Sequence, residues 1–274
     1  MHIFTKRTLE WYKEHGRVLP WRQTTNPYHI FVSEFMLVQT QVSRVIPKYE
    51  AFLQTYPTIF SLAQAQLSDV LALWVGLGYN RRAKFLHRAA VYICNEYDGV
   101  IPDSKESLEK IPGIGPYIAG AICAFAYNKP VVVIDANIKR VYNNVFGLVE
   151  KEIPLKVEET VPLNAARDFY NALMDIGSCY YKTHSTTDTY PYKEFCAWYN
   201  GKTIPSLQKY TRSTFKDSNR FYRGKLIKLL VEKHSIHLRD ISEYEHAEKY
   251  FSAISQLESE GFLVQDAKQI YLAK

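Results

Sequence analysis

Residues 111–140 read IPGIGPYIAGAICAFAYNKPVVVIDANIKR. A Pro-Gly-Ile-Gly turn opens an apolar helix, and a lone carboxylate, Asp135, ends the run of valines and isoleucine that follows. Two glycines let the backbone turn tightly with φ > 0. Their N–H groups, with the first turn of the next helix, form a cradle for an anion. In a basic chain the natural occupant is a nucleic-acid phosphate. Asp135 then stands at a fixed distance from a gripped backbone, which suits chemistry on a nucleotide. A plainer reading fits the same residues: Gly113 and Gly115 join two helices, and Asp135 caps the helix starting at Asn137.

The chain has 274 residues, enough for one large or two modest domains. A net charge of +6 and a pI near 8.9 favour polyanionic partners. Tyrosine is abundant, at 21, and tyrosines among Lys and Arg build base-stacking surfaces, although each one singly reads as a half-buried helix residue. No window approaches the ~20 apolar residues of a membrane span. MHIFTKRTLEWYKEHG at the start reads as an amphipathic charged helix and not a signal peptide. The expectation is a soluble, monomeric, cytoplasmic and nucleoid-associated protein of prokaryotic type. Cys94 and Cys123 sit in apolar helical stretches, as buried thiols do. Cys179 and Cys196 complete the set without a C-x-x-C or any metal-ligand spacing, so no metal site is expected.

Apolar residues recur at helical spacing up to about residue 178. The spacing predicts helices at 3–15, 28–38, 42–54, 58–63, 67–73, 78–97, 104–110, 116–127, 135–147, 155–160 and 163–177. VVVI at 131–134 is bounded by Pro130 and Asp135 and reads as a buried extended connector. Residues 179–204 are aromatic, polar and aperiodic. Helical patterns return at 220–234 and 244–260, and Gly261 leads into FLVQDAKQIYLA, two short apolar runs about a polar turn, which reads as a β-hairpin. The fold expected is all-α over 1–178, an intervening loop at 179–204, and a winged-helix-like module at 205–274. Residues 209–228 hold Lys209, Arg212, Lys216, Arg220, Arg223, Lys225 and Lys228 against Asp217 alone, as a phosphate-binding surface or a solvated helix face would.

Glu34 lies in NPYHIFVSEFMLVQTQV (26–42), among Ile30, Phe31, Val32, Phe35, Met36 and Leu37. A carboxylate in such company either faces solvent or sits in a low-dielectric site that raises its pKa.

The 111–140 window resembles the helix-hairpin-helix (HhH-GPD) DNA glycosylase superfamily, whose signature is this Gly-rich hairpin, a helix and an essential aspartate. Trp21, Arg22, Pro27, Tyr28, Ser33, Glu34, Met36, Leu37, Gln39, Thr40, Gln41 and Val42 resemble the opening signature of MutY-type adenine glycosylases. LWVGLGYNRRAKFLHRAA (73–90) is similar to the next family block. The resemblance runs from about residue 4 to 178 and implies a helix-hairpin-helix glycosylase fold of two helical lobes.

It also implies a DNA-repair activity: base excision from duplex DNA carrying a mismatched or damaged base. The target base is flipped from the stack, and oxocarbenium charge on the sugar calls for a nearby carboxylate. A leaving purine needs an acid of raised pKa. By resemblance Glu34 protonates adenine and later assists the attacking water, and Asp135 stabilises the oxocarbenium ion. Tyr117 and Asn137 support the intermediate and the water. Trp21 and Arg22 line the base pocket, and Gln39 and Tyr79 lie where the opened duplex is probed or wedged. Gly113, Ile114, Gly115, Arg81, Lys139 and Arg140 are the expected DNA contacts. Related bifunctional enzymes carry a Schiff-base lysine at position 117. Tyrosine cannot form one, so a hydrolase without lyase activity is expected.

Three departures stand out. The family's C-x6-C-x2-C-x5-C iron–sulfur loop falls at 181–204, where Cys196 is the one cysteine, so no cluster is expected and tyrosines with Trp198 are expected to pack there. The usual Nudix-like domain that reads 8-oxoguanine gives way to the winged-helix pattern. Val38 replaces the first glutamine of a Gln-Gln pair, Asn171 stands where the pocket glutamine is usual, and Ala136 resembles the thymine-mismatch branch. A K⁺ or Na⁺ at the hairpin carbonyls is usual for the superfamily. The expected substrate is adenine opposite guanine or 8-oxoguanine. The alternatives are a thymine or uracil mismatch glycosylase acting on T:G or U:G, and a non-catalytic DNA-binding protein, which would need none of the four catalytic candidates.

Overall fold

The computed structural model describes residues 2–181, 189–197, 200–207 and 215–273. In chain order its first helices are α1 (Ile3–His15), α2 (Pro27–Leu37), α3 (Val42–Thr55), α4 (Ile59–Ala63), α5 (Leu67–Trp74) and α6 (Arg81–Glu96). Then come α7 (Lys105–Glu109), α8 (Pro116–Phe125), α9 (Ala136–Phe146), α10 (Ile153–Thr160) and α11 (Ala166–Cys179). The C-terminal part holds α12 (Asn219–Lys233), β1 (Ser235–His237), α13 (Leu238–Ser242), α14 (Ala247–Ser259), β2 (Leu263–Asp266) and β3 (Gln269–Leu272). The all-α expectation for the first part therefore holds, and the connector at 131–134 forms no strand.

The chain divides into two compact units. The first comprises Met1–Glu34, Pro102–Lys110 and Ile114–Tyr210; the second comprises Phe35–Ile101, Ile111–Gly113 and Thr211–Lys274. The core of the first is aromatic. Phe4, Phe169, Tyr142, Tyr170 and Tyr192 are fully buried, and Phe4 meets Tyr142 edge-on at 5.4 Å and Phe169 at 6.0 Å. Gly120 lets α8 approach the connector closely, since a Cβ there would lie 3.1 Å from the Val132 carbonyl. From the other side the Tyr170 hydroxyl donates to the Val131 carbonyl at 2.6 Å and accepts from the Val133 N–H at 3.3 Å. The extended backbone leading to Asp135 is thus fixed by both helices.

Hydroxyls bond several of the described residues after α11. Trp11 Nε1 donates to the Tyr180 hydroxyl at 3.1 Å, and the Tyr192 hydroxyl pairs with Thr8 at 2.7 Å. Tyr181 and Tyr190 share a hydrogen bond, and the Cys196 thiol donates to the Asn144 carbonyl at 3.3 Å. Trp198, Lys209 and Arg212 lie outside the described residues.

In the second unit β1, β3 and β2 form an antiparallel sheet in that order, with Ile236 opposite Ile270 and Val264 opposite Tyr271. Together with α12, α13 and α14 this is a winged helix, with β1 and α13 added to the elements expected. Ala267 and Lys268 both take positive φ, as a two-residue hairpin of the right twist demands. The module is clamped to α6. Lys84 Nζ donates to the Gly261 carbonyl at 2.9 Å; within the module Arg223 holds Glu260 by two bonds of 2.7 and 2.8 Å. No helix among the described residues is long and apolar enough to cross a membrane.

Candidate active site

Helix α2 is apolar around its whole circumference and is buried accordingly: Phe31, Val32, Phe35 and Met36 have essentially no exposed surface. Glu34, in the same helix, is 4% exposed. The solvent-facing reading of this residue is therefore corrected. Burial pushes its carboxyl up to about 7. The Tyr117 hydroxyl, donating to it from the first turn of α8, pulls the other way; the charge of Asp135 adds to the rise and that of Arg22 opposes it. The same burial and the two carboxylates push the Tyr117 phenol well above its ordinary value, so it remains a proton donor.

For Asp135 the plainer reading is what the geometry shows. It is the N-cap of α9, where Oδ1 accepts from the N–H of Asn137 at 2.9 Å and of Ile138 at 2.7 Å. Its Oδ2 accepts from Asn137 Nδ2 at 2.8 Å, and Asn137 Oδ1 accepts from Arg140 Nη1 at 2.7 Å. Burial raises the Asp135 pKa, and the three N–H donors with the Arg140 charge hold that rise back. The carboxylate is thus aimed by donors that favour its ionised form. Gly177 permits this placement: a Cβ on α11 there would lie 2.6 Å from the Asn137 carbonyl oxygen.

Trp21, Arg22, Ile30, Ser33 and Glu34 line one side of a small cavity, and Phe125, Arg167 and Asn171 the other. Its volume is about 10 Å³, room for one water, so a purine must widen it to enter. Arg22 Nη1 and Nη2 grip Asp175 at 2.7 and 2.9 Å, and Nη2 also reaches the Asn171 carbonyl at 3.3 Å. Arg17 adds its N–H at 3.0 Å and Nε at 2.6 Å to the same carboxylate. Burial would raise the Asp175 pKa, but the bonds and charges of Arg22 and Arg17 outweigh it and leave the group below its ordinary value. Removing Asp175 would strand a buried guanidinium, a change that typically costs about 3–5 kcal/mol.

Glu34, Tyr117, Asp135 and Asn137 are thus linked, and Trp21, Arg22 and Asn171 share the cavity with Glu34. Sequence reasoning missed Arg167, Asp175 and Gly177. The signal was present: Arg167, Asn171 and Asp175 are four residues apart, one stripe of α11, and the first two line the cavity. The expected DNA contacts are less uniform. Gly113 has φ 89° and a Cβ would meet Phe85 at 2.6 Å, as a glycine-only turn requires. Gly115, by contrast, has φ −94° and caps α8, so the expectation of positive φ there is corrected; nothing lies within 4 Å of its Cβ position, which leaves the helix start open. Ile114 is buried. Lys139 is paired with Glu150 and Arg140 holds Asn137, while Arg81 is exposed, 3.8 Å from Glu260. Gln39 and Tyr79 are exposed in the second unit.

Residues 32–164 match the HhH-GPD superfamily of base excision DNA repair proteins. The adenine DNA glycosylase of Mycolicibacterium smegmatis is 36% identical over 242 residues, 84% of this chain and 81% of that one. The chain belongs to the adenine DNA glycosylases of this superfamily. A Buchnera aphidicola adenine DNA glycosylase is 36% identical over 205 residues, and there the match spans 72% of this chain but 58% of the relative's length. The solved structure of a thermostable thymine-DNA glycosylase superposes with a TM-score of 0.65 at 27% identity, over 72% of this chain and 95% of that one. Membership of the family agrees with the HhH-GPD fold read from the 111–140 window.

Proposed function

We propose that this chain hydrolyses the N-glycosidic bond of adenine mispaired with guanine or 8-oxoguanine in duplex DNA and leaves an abasic site. The observation that carries the reading is Glu34, buried, hydrogen-bonded to Tyr117 and poised near 7. A purine leaves readily only when a ring nitrogen is protonated, and an acid titrating near the working pH serves that purpose. Protonated Glu34 gives its proton to the flipped base, and the electron pair of the bond to the sugar C1′ leaves with the base. Asp135, ionised and held by three N–H groups, stabilises the positive charge left on the sugar. Water then attacks C1′ and gives its proton to the Glu34 carboxylate, which restores the acid. Tyr117 at the start of α8 supplies no amine, so no Schiff base forms.

The iron–sulfur cluster that the resemblance implies for the family does not fit this chain. Four thiolates are needed, and residues 181–204 offer Cys196 alone, already bonded to the Asn144 carbonyl. We therefore propose that the tyrosine hydroxyls around it tie down this stretch instead.

The test is a single-turnover assay on A:G, A:8-oxoguanine, T:G and U:G duplexes, with alkali to reveal abasic sites and borohydride to trap any Schiff base. Adenine release without trapping is expected. Release of thymine or uracil would contradict the purine reading and point to Asn171. Binding without cleavage of any duplex would support a docking protein.

A further inference from the structure

In the second unit Gln39, at φ 56°, and Tyr79, at φ 50°, are exposed and take the left-handed backbone without being glycine. Such strain persists where the surroundings impose it and gathers at functional positions. Here one side chain imposes it on both. Arg82, in the first turn of α6, donates through Nη1 to the carbonyls of Phe35 at 2.8 Å and Met36 at 2.7 Å, at the end of α2 just before Gln39. Through Nη2 it donates to Thr40 Oγ1 at 2.9 Å, just after Gln39, and to the carbonyls of Gly78 at 2.9 Å and Leu77 at 3.2 Å, just before Tyr79. The Thr40 hydroxyl donates in turn toward the Leu77 carbonyl at 3.3 Å, and Trp74 Nε1 donates to Gly78 at 3.1 Å. The guanidinium also lies over Trp74, at 5.3 Å, and Tyr79, at 5.6 Å. Thus the turn bearing Gln39 and the turn bearing Tyr79 are sewn to each other by one planar cation. Only a guanidinium can reach so many acceptors at once; a lysine cannot.

What the paired turns present is an exposed aromatic ring in basic surroundings. Arg220 of α12 donates to the Tyr79 hydroxyl at 2.9 Å and stands 5.7 Å from the ring centre. An aromatic face with cations beside it is what an unstacked base or a base step packs against. We propose that Arg82 is a positioning residue that couples Gln39 and Tyr79 into one rigid edge, which acts on the duplex as a unit while the target base is extruded. The proposal rests on the glycosylase reading above.

The experiment follows extrusion by the fluorescence of 2-aminopurine placed at the adenine position opposite 8-oxoguanine, in the full-length enzyme. It compares Gln39→Ala, Tyr79→Ala and the double variant with Arg82→Lys and Thr40→Val. If the turns act as one, the double variant loses less than the product of the two single losses, by at least about twofold. Arg82→Lys and Thr40→Val should slow extrusion too. Their affinity for a duplex with a tetrahydrofuran abasic analogue, where no base has to leave, should stay near that of the wild type. Single losses that simply multiply would overturn the coupling, as would equal weakening on both duplexes by Thr40→Val. The Gln39–Tyr79 cycle stands even if Arg82→Lys does not fold. A wild-type enzyme that extrudes nothing would sink the glycosylase reading instead, so the two failures are distinguishable.

Discussion

The burial of Glu34 is expensive for the fold, and it is what would make the residue useful in the proposed reaction. In the unfolded chain it titrates near its ordinary value of 4.5, and in the folded chain at about 7. The folded state therefore binds the proton more tightly. The stability this confers is complete below pH 4.5 and is lost as the pH rises through 7. At 1.36 kcal/mol per unit the loss comes to roughly 3 kcal/mol. Glu34→Gln removes the titration and keeps the shape. In urea unfolding it should be more stable than the wild type by up to that amount at pH 8.5, with the gap closing toward pH 4.5. Equal pH dependence of the two proteins would mean that Glu34 does not ionise in a buried site. Asp135 shows the opposite economy: the donors that make it the cap of α9 also favour the ionised form its proposed role requires.

At the scale of elements, α11 organises the site. Its stripe of Arg167, Asn171 and Asp175 shapes the cavity and locks Arg22, and Gly177 admits the N-terminus of α9. Gly177→Ala should push Asn137 and Asp135 aside by a few tenths of an ångström or more. Because misplacement of about 1 Å can cost 10²-fold in rate, the single-turnover rate should fall by about 10–100-fold while duplex affinity changes little. An unchanged rate would show that α9 tolerates the shift. Most helices were legible because apolar residues at a 3.6 spacing reveal their buried face. The hairpin and Asp135 were legible because Gly and a lone acid interrupt that spacing. Where periodicity ran on through a turn it misled: α6 begins at Arg81, not 78, since Gly76, Gly78 and Tyr79 all have positive φ while Leu77 keeps the apolar rhythm. The stretch Ser235–His237 is too short to show alternation and becomes a strand only by pairing with β3. Asp175 showed only as one position of the α11 stripe and Arg82 not at all, because their importance lies in partners far away in the chain.

At the scale of the whole molecule, the four residues of the proposed reaction fall in one unit and the winged-helix module in the other. Glu34, Tyr117, Asp135 and Asn137 all lie in the first unit, and in the second Lys84 anchors the winged-helix module to α6 through the Gly261 carbonyl. If hydroxyls and packing replace the metal around Tyr181 and Cys196, the purified enzyme should contain no stoichiometric iron by elemental analysis and should lose no activity to a strong iron chelator. Iron at four atoms per chain would refute this. The most direct test of the central claim is the single-turnover rate of adenine release from an A:8-oxoguanine duplex across pH 5 to 9, for the wild type and Glu34→Gln. A protonated Glu34 as general acid predicts a rate that is high below about 7 and falls about tenfold per unit above it, and a variant at least about 10²-fold slower with no break near 7. A variant within a few-fold of the wild type, with the same pH profile, would show that Glu34 is not the acid.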